Sequence, residues 1–313
     1  MTTRQELLEH HATDMTYAGE LSFLRRLMTQ NITQADVVVT GIPFDAATTY
    51  RPGARLGPQA IRAASVQLAE LAQNAFPDNI DLFSTLAIAD YGDCELRSGE
   101  LANVVDIITD HARNILKQAP FLISMGGDHF VTYPLLIAHV EKHGPLSLLH
   151  FDAHVDTWPD DAKRLDHGSM FLRALKEGLI DPERSVQVGI RSFSESDYGF
   201  RVIEAPWVHE QGVRATVDEI KRVLGDHATY LTFDIDCLDP AYAPGTGTPV
   251  AGGLTSAQAL GIVRSLDGID FVGMDMVEVA PAYDHAEITS IVAANIIHDF
   301  LLVLARNKRG DRG

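Results

Sequence analysis

The segment Ser147-Leu-Leu-His-Phe-Asp152-Ala-His154-Val-Asp156 restricts what this chain can become more than any other stretch. It follows a turn signal, His143-Gly-Pro145, and begins as a short apolar run, the pattern of a buried strand. It then places Asp152, His154 and Asp156 at alternate positions. Alternate side chains of extended backbone share one face, so three metal-ligand types point the same way as the strand runs out. Such groups are costly to bury unless they are paired or bound to a cation. The bland alternative, a polar turn with Asp caps, explains the spacing less well.

The remaining sequence repeats the theme. After a mixed, helix-tolerant stretch of residues 1–34, with Phe23-Leu24 and Leu27-Met28 as packing points, the first strand is predicted at 35–40. Further apolar strands are predicted at 86–90, 120–125, 146–151, 185–190, 229–234 and 270–275. Helical periodicity occupies 59–73, 99–118, 130–142, 168–177, 216–225, 255–266 and 286–306. Continuously apolar strands alternating with helices imply an α/β fold whose mostly parallel sheet is covered on both faces. No linker or repeat interrupts the alternation, so residues 1–313 read as one domain, an N-terminal arm (1–34) on a core (35–306). In such sheets ligands bind beyond the carboxyl ends of the strands. Four predicted ends are loaded accordingly: Asp128-His129, Asp152-Ala-His154-Val-Asp156, Asp234-Ile-Asp236, and the run from Asp275 to Glu278.

Composition narrows the partners. A net charge of −18 argues against nucleic acid and anionic membrane surfaces and is compatible with a small cationic substrate. Cys94 and Cys237 form no metal-type spacing and read as buried thiols in a reducing compartment. No conventional signal peptide and no run of 18 apolar residues is found, so a cytoplasmic location off the membrane is expected.

The donors His129, Asp152, His154, Asp156, Asp234 and Asp236 exceed what one catalytic zinc takes, which is three protein ligands and a water. They suit two cations roughly 3.5–4 Å apart. Carboxylates and imidazoles without thiolate favour harder ions, and Mn2+ fits the mixture. Gly126-Gly-Asp-His129, Asp152-Ala-His-Val-Asp156 and Asp234-Ile-Asp-Cys-Leu-Asp-Pro240 resemble the three motifs of the ureohydrolase (arginase/agmatinase) family. The similarity extends from Gly41 to Thr289, through Ala243–Pro249 and Val277-Glu-Val-Ala-Pro281. It implies a three-layer α/β/α sandwich around an eight-stranded sheet, the arginase/deacetylase-like architecture, assembled as a trimer or hexamer. It also implies one Mn2+ on His129, Asp152, Asp156 and Asp234, and a second on Asp152, His154, Asp234 and Asp236.

Within the family, Asp166-His-Gly-Ser-Met-Phe171 and Lys176-Glu-Gly-Leu-Ile-Asp-Pro182 resemble bacterial agmatinase. The loop 157–165 lacks the Asn and Ser that arginases use to bind the amino-acid end of arginine. The implied reaction is cleavage of agmatine to putrescine and urea, with a metal-bridging hydroxide attacking the guanidinium carbon. His167 is the expected proton shuttle to the leaving amine, Asp156 a hydrogen-bond partner of the nucleophile, and Glu278 the partner of the substrate guanidinium. Asp128 and Asp239 read as turn residues, His150 as either a partner of the ligands or a satisfied core histidine. His10, His11, His111, His139, His143, His209 and His285 are expected in solvent.

Alternatives remain at this stage. Guanidinobutyrate, guanidinopropionate and formimino substrates share the metal centre and differ in the tail they present. Asp160 and Asp161 would favour an ammonium tail, whereas Arg51, Lys163 and Arg164 would favour a carboxylate. A deacetylase-type amide hydrolase normally needs one metal, against the six donors here. A non-catalytic metal-binding scaffold would be expected to have lost a ligand or the shuttle.

Overall fold

The computed structural model describes residues 2–10, 15–71, 76, 79–97, 101–159 and 164–310. Eight strands form one sheet: β1 (Val37–Gly41), β2 (Ile88–Asp93), β3 (Phe121–Met125), β4 (Ser147–Phe151), β5 (Val186–Ile190), β6 (Arg201–Glu204), β7 (Thr229–Asp234) and β8 (Phe271–Val277). The helices are α1 (Arg4–Glu9), α2 (Gly57–Leu71), α3 (Leu82–Thr85), α4 (Val104–Leu116), α5 (Thr132–His143), α6 (Met170–Lys176), α7 (Ala205–Leu224), α8 (Ser256–Arg264) and α9 (Ile288–Arg309). The strand order is β2-β1-β3-β8-β7-β4-β5-β6, and every pairing is parallel. The sheet is therefore wholly, not mostly, parallel.

Burial follows that order. Every residue of the six inner strands is buried, whereas β2 and β6 at the edges are partly open. Val37 and Val39 project to one face, toward a core shared with α2, α7, α8 and α9. Val38, between them, projects to the other, toward α1, α4, α5 and α6. Three layers result, as strands buried on both faces require.

Three departures from the sequence reading have physical causes. Strand β6 escaped it because Arg201-Val-Ile-Glu204 is short, charged at both ends and half-exposed. Helix α7 begins at Ala205 instead of 216, with a break at Gly212 (φ 80°) that disrupts its period. Strand β8 continues to Val277, so Asp275 lies inside a strand and not at its end. Helix α9 has the length and apolarity of a membrane span, although 78% of that window is buried within this domain.

The N-terminal stretch folds onto the domain. Phe23 and Leu24 are fully buried, and their backbone N–H groups donate to Asp90 Oδ2 and Ser65 Oγ. Leu27 is half-buried, while Met28 is exposed and bridges to Asp90.

Candidate metal centre and substrate recess

The four central strands, in the order β3-β8-β7-β4, bring their carboxyl ends together. His129 follows β3, Asp152 to Asp156 follow β4, Asp234 and Asp236 end β7, and Glu278 ends β8. Close approach of the β1 and β3 loops needs a glycine: a Cβ on Gly127 would lie 1.6 Å from Phe44 O. The space so left lets Asp128 N donate to Phe44 O and Glu278 N donate to Gly127 O. Asp156 (φ 51°) and Glu278 (φ 63°) both adopt the left-handed region. That conformation costs about 1–2 kcal/mol for an L-residue, and here it aims a carboxylate back across the strand ends.

The donors form two abutting groups. His129 Nδ1 lies 3.0 Å from Asp152 Oδ2, 3.0 Å from Asp156 Oδ2 and 3.2 Å from Asp234 Oδ2. His154 Nδ1 lies 3.2 Å from Asp152 Oδ1 and 3.2 Å from Asp236 Oδ2. Asp152 thus presents one oxygen to each group. Asp234 turns Oδ2 to the first group, while its Oδ1 accepts the Asp236 N–H at 2.8 Å.

The hydrogen bonding of His129 decides what this cluster lacks. Its Nε2 lies 2.9 Å from Thr232 Oγ1, which itself donates to Asp275 Oδ1 at 2.6 Å. The hydroxyl proton is committed to Asp275, so the ring donates Nε2–H and turns Nδ1, bare whenever the ring is neutral, toward three carboxylates. Among the described residues Nδ1 has no hydrogen-bond partner, and one proton there could not satisfy three oxygens in any case. A lone pair facing three carboxylates is repulsive unless a cation sits among them. Ligand atoms about 2.1–2.2 Å from a cation and at right angles are about 3 Å apart, the octahedral edge of a hard divalent ion. The residues fit the metal.

Electrostatics agree. Burial lowers the His129 basicity, but Asp152, Asp156 and Asp234 more than reverse this and hold its pKa well above the ordinary value. Against burial, Asp236 and Asp152 push His154 up to about 12. Burial and then Asp152 raise Asp156, and burial, Asp236 and Asp152 raise Asp234 well above the usual carboxylate range. Without metal the cluster would have to retain protons, the positive charge that two divalent ions replace.

Beside the cluster lies a recess lined by Thr49, His154, Asp156, Trp158, His167, Gly168, Asp234 and Thr248. His167 Nδ1 faces Glu278 Oε1 at 2.8 Å, and its Nε2 faces Thr49 Oγ1 at 2.9 Å and Thr49 N at 3.2 Å. The Thr49 N–H can only donate, which suits a neutral ring. The hydroxyl can accept, which suits a charged one. Burial disfavours the charge, but Glu278 outweighs it and raises His167 to about 9. Glu278 Oε1 also accepts the backbone N–H of His129 at 2.9 Å, while buried Oε2 has no partner among the described residues. The Trp158 ring lies 5.9 Å from that of His154, and only a glycine fits beneath it, as a Cβ on Gly168 would be 2.7 Å from the indole.

No Lys or Arg lines this recess among the described residues. Arg51 donates to Thr246 O and Gly247 O and stacks 4.5 Å from the Tyr283 ring centre. Arg164 is largely exposed and pairs with Asp166. Asp160, Asp161 and Lys163 lie outside the described residues, as does His11. Asp128 caps the turn before α5 and accepts Ala47 N–H at 2.7 Å. Asp239 accepts the N–H groups of Ala241, Gly252 and Gly253. Among the remaining histidines, His209 and His285 are exposed, and His10, His111 and His143 are half-buried. His139 is fully buried: it faces the core from α5, bonds Leu135 O through Nδ1 and meets the edge of Tyr230 at 4.8 Å. Burial lowers it to about 4, so it stays neutral there.

The pattern of the Arginase family matches residues 35–303. The chain belongs to the arginase family. It is an enzyme of the ureohydrolase class, as its motifs imply. It is 56% identical over 308 residues to an agmatinase of Chromobacterium violaceum, covering 98% of this chain and 95% of that one. The crystal structure of a hypothetical agmatinase from Burkholderia thailandensis superposes with a TM-score of 0.95 at 56% identity, covering 97% of this chain and 96% of that one. Proclavaminate amidino hydrolase from Streptomyces clavuligerus does so with a TM-score of 0.89 at 39% identity, covering 94% and 100%.

Proposed function

We propose that this arginase-family enzyme hydrolyses agmatine to putrescine and urea at a pair of Mn2+ ions held by His129, Asp152, His154, Asp156, Asp234 and Asp236. The observation that carries the proposal is the convergence of His129 Nδ1 and three carboxylate oxygens at 3.0–3.2 Å. When bound, the two cations supply hydroxide at neutral pH and neutralise the buried carboxylates.

The chain's own groups do the rest. Glu278 Oε2, unpartnered and buried, takes the substrate guanidinium, whose planar fork of N–H donors matches a carboxylate. Its Oε1 stays fixed by His129 N and His167 Nδ1, so the acceptor is oriented before the substrate arrives. His167 carries the proton at Nε2, beside Thr49 Oγ1, and delivers it to the departing amine. Asp156 holds its carboxylate at the floor of the recess, positioned to steady the attacking water. The indole of Trp158 at the mouth receives the cationic tail, an interaction that an aromatic face favours and a carboxylate tail forgoes. The cytoplasmic location, the role in polyamine synthesis and the trimeric or hexameric assembly implied by the family resemblance belong to the same proposal.

Urea release from Mn2+-loaded protein with agmatine, arginine, 4-guanidinobutyrate and 3-guanidinopropionate tests it. Agmatine should be the preferred substrate by kcat/KM. Preference for a carboxylate-tailed compound would refute the substrate assignment, and no urea from any of them would refute the reaction.

A further inference from the structure

One buried histidine at the centre has no part in the reaction just proposed. His150 is inaccessible to solvent, its ring 4.6 Å from that of Phe171 and 5.1 Å from that of His129. Both ring nitrogens are engaged. Nε2 lies 2.7 Å from Asp152 Oδ2, and Nδ1 lies 3.1 Å from Gln187 Nε2. By distance alone His150 qualifies as a metal ligand, since its donor atom lies within 4.8 Å of those of His129, Asp152 and Asp156.

Hydrogen-bond chemistry separates the two roles. Gln187 is itself buried, and its Nε2 lies 2.7 Å from Val155 O. A backbone carbonyl only accepts, so the side-chain amide must turn its NH2 toward Val155. The second hydrogen of that NH2 then faces His150 Nδ1, which has to accept it. A doubly protonated ring would set N–H against N–H at this contact. The ring therefore keeps one proton, on Nε2, and the Nε2 lone pair needed to ligate a metal is absent.

We infer that Gln187 fixes His150 as an Nε2–H donor to Asp152, which makes His150 a positioning residue for the shared carboxylate and not a metal ligand. The inference rests on the reading of Asp152 as a ligand of both cations. Each Asp152 oxygen then has one protein donor: His150 Nε2 for Oδ2, and the His154 N–H, at 2.6 Å, for Oδ1. The carboxylate plane is pinned, and one lone pair per oxygen remains for a cation. Partners of this kind orient ligands, and their loss typically weakens metal binding about 10- to 100-fold.

The test is calorimetric titration of metal-free full-length protein with Mn2+, for wild type, His150→Leu and His150→Gln, with circular dichroism to verify the fold. The leucine variant should still bind two ions at saturation, with affinity reduced about 10- to 100-fold. The glutamine variant should recover most of it, because its amide nitrogen can occupy the place of the histidine Nε2. Loss of one equivalent in His150→Leu would make His150 a ligand and overturn the inference. Two equivalents with unchanged affinity would make it core packing only and overturn it equally. Should His150→Leu fail to fold, nitrogen NMR of 15N-histidine-labelled wild type, assigned against His150→Gln, decides. A proton on Nε2 with bare Nδ1 supports the inference and the reverse tautomer defeats it. Wild type that binds no pair of Mn2+ ions would refute the proposed function instead, leaving the tautomer measurement to judge His150.

Discussion

Replacing Thr232 by valine changes one hydroxyl into a methyl group of nearly the same shape, at the join between the fold and the metal centre. Thr232 Oγ1 accepts His129 Nε2–H at 2.9 Å and donates to Asp275 Oδ1 at 2.6 Å. Asp275 is fully buried, and burial raises its pKa. It keeps two other donors, Thr132 Oγ1 at 2.8 Å and Tyr230 OH at 2.9 Å. In the variant, His129 Nε2–H becomes a buried donor without a partner, costing about 1–3 kcal/mol, and Asp275 loses a bond worth about 1.5–3 kcal/mol. The buried methyl returns about 0.8 kcal/mol. Because the two losses share a network and are not additive, a net destabilisation of about 2–4 kcal/mol is expected. Guanidinium unfolding of the metal-free protein, followed by circular dichroism, reads it as a lower midpoint at unchanged slope. Thr232→Ser retains the hydroxyl and should lose only the smaller cost of its methyl group. A Thr232→Val protein within about 0.5 kcal/mol of wild type, the range of an ordinary surface change, would refute the relay.

Two further outcomes follow from the recess and its charges. Trp158→Ala should raise KM for agmatine about 3- to 30-fold, the range of a cation–π contact of roughly 0.7–2 kcal/mol. Trp158→Phe should retain most of the affinity, and an unchanged KM in the alanine variant would remove Trp158 from tail recognition. Chelated protein should lose stability as pH rises. His167 is raised from 6.5 to about 9, so its contribution is fully present below 6.5 and is lost as pH passes through 9. His154, raised to about 12, acts in the same direction. Unfolding midpoints at pH 6, 7.5 and 9 with excess chelator should fall in that order, and Mn2+ should flatten the trend. A chelated protein more stable at pH 9 than at pH 6 would contradict this assignment of charge.

What the sequence disclosed and what it withheld divide along the range of the interactions. The inner strands were legible because a parallel strand buried on both faces is largely apolar, as Val37-Val-Val39 and Phe121-Leu-Ile123 are. Five of the six candidate donors stand out because alternation at a strand end is a local pattern, written within five residues at Asp152, His154 and Asp156 and within three at Asp234 and Asp236. Their partners are not local. Thr49 meets His167 from 118 residues away, Gln187 meets His150 from 37, and Asp275 meets Thr232 from 43. The strand order, which sets β8 beside β7 and β5 beside β4, brings the last two pairs together, and the first is made between loops. His139 was misplaced in solvent for a related reason. Its partners are the Leu135 carbonyl one turn back and the ring of Tyr230 on another strand, and the second of these cannot be read from helical spacing.

The same division explains why the site has so many fixed protons. A cluster of acids can be specified by a few letters, but without donors set from elsewhere its carboxylates and imidazoles could rotate and hold protons instead of metal. Here each of three histidines has one nitrogen committed away from the cluster or to a single acceptor: His129 to Thr232, His150 to Gln187, and His167 to Glu278. Every one of those partners comes from a different segment of the chain. The parallel sheet therefore does more than gather ligands. By fixing neighbouring strands in register it sets Thr232 against His129 and Gln187 against His150, and those partners distinguish a ring that binds a cation from one that orients a carboxylate.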